Sequence, residues 1–258
     1  MKPVQIYKCK DKKESHYINK GDLFDLPMRV LCIGKSQYSG KSSFLLNMLE
    51  QNDERLYKNN FDGDDMYIFS GSLTSDTKIK NIIKQHDVPH SNCFDGYDGN
   101  ALEAIFEMVE SDYNDAINNK EKPKHSLVIL DDISFSGALK GKKNSILNRM
   151  ACNGRHINLS FIVTAQKYSQ VDTCMRENSS AVVLWDCSDK QLELVAEDHN
   201  ILESKKLFKK MFRIVTDKPY SYMVVNYSNP REKRYQDMNF NPIKQCGHPQ
   251  QDGNCDCN

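Results

Sequence analysis

Five apolar runs, with stretches of helical period between and after them, constrain the fold more than any other feature of the chain. The runs are RVLCIG (29–34), MYIFSG (66–71), SLVILDD (126–132), LSFIVTAQ (159–166) and AVVLW (181–185). They are continuous rather than alternating and rich in Val, Ile and Leu, as strands buried on both faces must be. Helical patterns cover 41–52, 76–85, 99–119, 141–151 and 188–212. Strand–helix alternation of this kind predicts an α/β fold, a mainly parallel central sheet flanked by helices. A late strand, YSYMVVNY (220–227), is expected at an edge or in a hairpin.

The 258 residues suffice for one domain with a real core. Residues 1–24 read as a short lead-in, 25–227 as the main domain and 228–258 as a polar tail. Thirty-five basic side chains balance 35 acidic ones, so any nucleic-acid contact must come from local patches. No apolar run reaches the roughly 18 residues a membrane span needs, and the first residues lack the apolar stretch of a secretory signal. Nine scattered cysteines, an odd number, argue against a disulfide framework. Cys32 and Cys93, in strand-like contexts, read as core residues. These features point to a reduced, intracellular protein that is not secreted.

The first apolar run leads into Gly34-Lys35-Ser36-Gln37-Tyr38-Ser39-Gly40-Lys41-Ser42-Ser43. Phosphates need clustered backbone N–H donors, a helix N-terminus and a cation. This stretch offers all three. Gly40 lets the backbone turn closely around an anion, Lys41 can reach the β- and γ-phosphates, and Ser42 can ligate Mg²⁺ while opening a helix. The helix would bury Phe44, Leu45, Met48 and Leu49. The usual spacing puts the first glycine one position later, where Lys35 stands. The loop is therefore either one residue longer or has Lys35 at its entrance, with Gln37 and Tyr38 bulging over the nucleotide. Tyr38 is expected near the nucleotide or at a subunit boundary.

A second motif supplies carboxylates. Leu127 to Leu130 carry Asp131 and Asp132 to the carboxyl edge of the sheet, where α/β folds bind ligands. Asp131 would hold Mg²⁺, largely through water, and Asp132 would orient or deprotonate the attacking water. Order along the chain resembles the P-loop ATPases that insert an extra strand between the phosphate-loop strand and the acidic strand. In that class a polar sensor residue at the tip of the inserted strand faces the γ-phosphate, and Gln166 fits that position.

GKSQYSGKSS, LVILDDIS, GRHINLSFIVTAQ and CMRENSSAVVLW, in this order, resemble the viral DNA-packaging ATPases of the FtsK–HerA superfamily, and most of all the poxvirus type found across large DNA viruses, virophages and polinton-like elements. The likeness spans roughly 25–225. It implies ATP hydrolysis that drives double-stranded DNA into a preformed capsid, by a homo-oligomeric ring of five or six subunits docked on capsid vertex proteins. It places the protein in the host cytoplasm or the virion, without a membrane partner. In such rings a neighbour's arginine completes each site. Arg155, 24 residues after Asp131, matches that position, and Arg176 is the second choice. A guanidinium there stabilises charge spread over the phosphoryl oxygens. The pair Asp131-Asp132 departs from the more usual Asp-Glu, so Asp132 has one methylene less reach.

SGALKGKKNS (136–145) is a Gly-rich basic loop after the acidic strand, and Lys140, Lys142 and Lys143 make it a candidate pore loop gripping DNA phosphates. In ESKKLFKKMFR (203–213) the lysines read mainly as a solvated face over an apolar stripe. At the end, Cys246, His248, Cys255 and Cys257 could wrap a tetrahedral Zn²⁺. Their one-residue gaps are tighter than usual, and a polar tail with incidental cysteines is the alternative. Two other functions fit parts of the pattern: a nucleoside kinase of the thymidine kinase type, and a nucleotide-binding assembly protein without turnover.

Overall fold

The computed structural model describes residues 17–51, 53–133, 137–140 and 145–244. Eight strands form one sheet: β1 (Arg29–Ile33), β2 (Met66–Ser70), β3 (Cys93–Asp95), β4 (Ser126–Asp131), β5 (Leu159–Ala165), β6 (Ala181–Trp185), β7 (Tyr222–Asn226) and β8 (Tyr235–Gln236). Their order is β3-β2-β4-β5-β1-β6-β7-β8. The first six run parallel; β7 pairs antiparallel with β6, and β8 antiparallel with β7. β5 lies between β1 and β4, so the strand ending at Gln166 is the inserted one.

Seven α-helices cover the sheet among the described residues: α1 (Lys41–Glu50), α2 (Thr77–Gln85), α3 (Gly99–Asn118), α4 (Ile146–Asn153), α5 (Thr173–Asn178), α6 (Asp189–His199) and α7 (Lys205–Val215). Successive strand residues point to opposite faces. Val30 and Cys32 therefore join one core with Phe44, Leu45, Met48 and Leu49 of α1 and with Ile79 and Ile82 of α2. Leu31 and Ile33 join the other, with Phe106 of α3, Met150 of α4, Val195 of α6 and Phe208 of α7. Leu23 and Phe24 pack into the first core, and Tyr235 and Ile243 into the second. Asn226 and Gln236 donate side-chain N–H bonds to the carbonyls of Leu23 and Asp22, joining the two ends of the described chain.

Several expectations change in detail. The single helix expected over 188–212 is two, because Asn200 folds back on Leu202 and Ser204 starts a new helix by accepting from the Leu207 N–H. The Lys face of α7 pairs with α6, Lys205 with Glu197 at 3.0 Å and Lys209 with Glu193 at 2.7 Å. Cys93 is only partly buried, because β3 is an edge strand, whereas Cys32 is fully buried. β3, α5 and β8 carry too few residues to show a period.

A polar chain runs through the second core. Tyr168 donates to Asp198 Oδ2 at 2.7 Å, so its oxygen accepts from His199 Nε2 at 2.7 Å, and His199 Nδ1 accepts from Tyr227. His199 is therefore held neutral. Burial pushes its pKa down to about 4, with Asp198 opposing and Arg176 assisting that shift. The unfolded chain binds a proton near the ordinary value of 6.5 that the folded chain refuses until about 4. Stability is therefore expected to fall as pH drops from 6.5 to 4, losing on the order of 3 kcal/mol to this group at the acid end. Thermal midpoints measured across that window should show a smaller fall for His199→Gln than for the parent, and equal falls would refute the assignment.

Candidate functional site

At the carboxyl end of β1 the chain turns over the edge of the sheet. Gly34 N donates to Ala165 O at 3.0 Å, extending the β1–β5 ladder by one bond. A Cβ on Gly34 would lie 2.8 Å from Ser39 Cβ and 2.9 Å from Trp185 Cβ. The early glycine thus answers a close approach between the loop and β6. Lys35 then points outward, 3.7 Å from Asp186 Oδ2 and exposed. Ser39 Oγ donates to Lys35 O at 2.6 Å and closes the loop. Ser36, Gln37 and Tyr38 are exposed between them. Tyr38 stands in the left-handed region at φ 64 with 75% of its surface free.

Gly40, at φ 81, brings the chain into α1. Asp or Ser side chains cap α2, α3, α4, α5 and α7, but no side chain caps α1 or α6. The first amides of α1, those of Lys41, Ser42 and Ser43, have no partner within the helix and concentrate its positive end there. Lys41 is buried, and its Nζ donates to Gly34 O at 2.7 Å and Lys35 O at 2.9 Å. Burial lowers its pKa, while the charges of Asp131 and Asp132 act in the opposite sense. Cation, helix end and both carboxylates are therefore close neighbours.

Asp131 ends β4 with 3% of its surface exposed. Thr164 Oγ1 donates to its Oδ1 at 2.8 Å, and Ser70 Oγ to its Oδ2 at 3.3 Å. Burial pushes this carboxyl up, and the Thr164 bond opposes that shift. Thr164 Oγ1 also accepts from the Asp132 N–H at 3.0 Å. Asp132 leaves the strand at φ 49, and its Oδ1 accepts from Gln166 Nε2 at 3.2 Å. Ser70 and Thr164 were not singled out as site residues. The only signal for them is a hydroxyl at or next to the carboxyl end of each of two largely apolar strands. The assembly is an anion cradle beside two hydrogen-bonded carboxylates, which can hold a polyphosphate and position a water at its end.

The remaining candidates lie elsewhere. Arg155 is exposed on the turn before β5, at the amino edge of the sheet. The seven residues of β5 separate it from Gln166, roughly 20 Å at ordinary strand rise. It cannot reach the cradle of its own chain. Beside it a cavity of about 710 Å³ is lined by Arg29, Tyr113, His156, Ser179 and Ser180. Arg176 is held within its own chain, donating to Asp198 at 2.6 Å and stacking on Tyr168. Lys140 is exposed on a 3-10 turn whose neighbour Leu139 is buried and accepts from Asp172 N–H at 2.7 Å. Lys142 and Lys143 lie outside the described residues, as do Cys246, His248, Cys255 and Cys257. Among the described residues no cluster of His, Cys, Asp and Glu could hold a metal by itself, and no helix is long and apolar enough to cross a membrane.

A comparison with curated protein sequences returns no match. Solved structures do match. The genome packaging NTPase B204 from Sulfolobus turreted icosahedral virus 2 in complex with AMP is 14% identical with a TM-score of 0.54, over 84% of this chain and 99% of that one. The same protein in complex with ATP-gammaS is 14% identical with a TM-score of 0.52, over 82% of this chain and 96% of that one. B204, the DNA-packaging ATPase from Sulfolobus turreted icosahedral virus, is 13% identical with a TM-score of 0.51, covering 79% and 94%. At such identities the likeness is one of fold, that of an α/β P-loop NTPase. The family described as Poxvirus A32 protein matches residues 14–229, and the chain belongs to that family.

Proposed function

We propose that the protein is a viral DNA-packaging ATPase, whose domain over 25–227 couples ATP hydrolysis to movement of double-stranded DNA into a capsid. One observation carries the reading: β5 brings the Lys41 loop of β1 and the Asp131-Asp132 end of β4 to one edge of the sheet, with Gln166 hydrogen-bonded to Asp132. Membership of the Poxvirus A32 protein family supports it. The inserted strand and the family membership together disfavour a nucleoside kinase.

In this reading the N-terminal amides of α1 and the Lys41 ammonium bind the phosphates. Asp132, oriented by Gln166, positions the attacking water and takes its proton. The donor set suits Mg²⁺: a buried carboxylate on Asp131 contacted by neutral hydroxyls, with the Ser42 hydroxyl on the first turn of α1. Asp131 and Ser42 would hold the ion, which neutralises charge on the phosphoryl oxygens when bound. Parent protein should release phosphate from ATP faster when double-stranded DNA is added. Lys41→Ala and Asp131→Ala should each lower turnover on the order of 100-fold or more. Parent-like rates in either variant would overturn the site. Binding of ATP without turnover in assembled protein would instead favour an assembly protein that holds nucleotide.

Lys140, Lys142 and Lys143 are proposed to grip DNA phosphates, because Lys140 is exposed on a turn whose Leu139 carbonyl is held by the Asp172 amide. A triple alanine variant at these positions should keep its basal rate and lose DNA stimulation. It should also show a shallower dependence of DNA affinity on salt. Stimulation equal to the parent's would remove the loop from the DNA path.

Arg155 is proposed to complete the site of an adjacent copy in a ring of five or six, since the strand between them keeps it from its own. Arg155→Ala and Lys41→Ala are each expected to be nearly inactive alone. Mixed together they should regain activity, because an Arg155→Ala subunit keeps its loop and borrows the arginine of a Lys41→Ala neighbour. Mixtures as inactive as the separate variants would exclude this role.

A further inference from the structure

A nucleoside triphosphate has two unlike ends, and the site distinguishes them. Asp131, Asp132 and Gln166, which face the terminal phosphate in the proposed reading, all lie on the β4 and β5 side of β1. A phosphate chain laid across the N-terminus of α1 from that side leads its other end toward β6 and β7. Ligands of open α/β sheets sit in such crevices, where the chain switches from filling one side of a strand to filling the other. Here that switch falls at β1, between β5 and β6.

On the β6 side the surface forms a cleft of about 530 Å³. The phosphate loop makes one wall, the turn 216–221 between α7 and β7 makes the other, and Trp185 also lines it. Tyr220 stands in that turn at φ 66 with 57% of its surface free. Its ring stands so close to the start of α1 that a Cβ on Gly40 would lie 3.5 Å from Tyr220 Cδ1. Tyr38 faces the same cleft from the phosphate loop. Both tyrosines adopt a left-handed backbone, which bulky residues avoid unless the surroundings hold them there. The turn is so held: Thr216 Oγ1 donates to Phe212 O at 2.8 Å, and Ser221 Oγ donates to Lys218 O at 2.6 Å.

We infer that this cleft is the base subsite of the nucleotide site, where Tyr220 offers its ring as a stacking platform for a purine and Tyr38 forms the opposite wall. Aromatic rings presented on a fixed turn bind bases through their π-faces with little ordering cost. A purine offers a larger face to such walls than a pyrimidine. The inference rests on the reading of the loop as an ATP site, and one experiment separates the two. Calorimetric titration of parent, Tyr220→Ala and Tyr220→Phe with ATP, and separately with inorganic tripolyphosphate, compares a ligand that has a base with one that lacks it. Tyr220→Ala should bind ATP roughly tenfold more weakly than the parent. Tyr220→Phe should match the parent, and tripolyphosphate should bind all three alike. Parent affinity for ATP in Tyr220→Ala, with tripolyphosphate binding intact, would overturn the base subsite alone. Equal weakening of ATP and tripolyphosphate would also overturn it, since the tyrosine would then act on the loop. A parent that binds neither ligand would overturn the ATP site and the subsite together.

Discussion

One hydroxyl holds the two halves of the acidic end in place. Thr164 Oγ1 donates to the Asp131 carboxylate and accepts from the Asp132 amide, so a single side chain on β5 fixes the buried carboxyl and the turn that follows it. The parallel pairing of β4 and β5 places it there, with Leu130 opposite Val163. A slip of one residue would turn Thr164 to the other face and bring Val163 or Ala165 against the carboxylate. The buried carboxyl would then keep only the 3.3 Å bond from Ser70, too little to offset the cost of burying its charge. The same strand takes the first hydrogen bond of the phosphate loop, through Ala165 O and Gly34 N. Loop, acid pair and Gln166 keep their spacing because all three refer to β5.

The order of apolar runs and helical stretches made the main sheet legible, because runs of four to seven buried residues carry a strong pattern. The loop and the acid pair were legible for the same reason: each stands where a strand ends and its polarity changes abruptly. Short elements such as β3 and β8 were not, since two or three residues have no period to read. The break between α6 and α7 lay in local side-chain bonds of Asn200 and Ser204 within a stretch that keeps its helical spacing.

Contacts between distant parts of the chain were hidden altogether. The early glycine looked like a defect of the phosphate loop when read along the sequence. Its reason is Trp185 on the neighbouring strand, which leaves no room for a Cβ at that point. Arg176 stood as the second choice after Arg155. Asp198 and Tyr168, brought beside it by folding, hold its guanidinium within its own chain. Polarity along the chain marks which side chains have chemistry to offer, and packing decides which of them are free to use it.

The sheet divides the labour of the proposed motor along two directions. Across the strands, β1 separates an acidic side at β4 and β5 from an aromatic cleft at β6 and β7. Along the strands, β5 separates the loop edge from the edge that carries Arg155. A nucleotide bound in this way spans the first direction within one chain. The second direction is too long for any side chain to span, so in the proposed ring Arg155 would act on the site of an adjacent copy, adding to the charge that Lys41 supplies from within the chain. The Leu139 carbonyl beside Lys140 accepts from the amide of Asp172 at the start of α5. The proposed arginine would act from the turn before β5, at the opposite edge of the sheet from Asp132. In the proposed ring a site would draw its loop, acid pair and Gln166 from one copy and its arginine from the next, so turnover would depend on both.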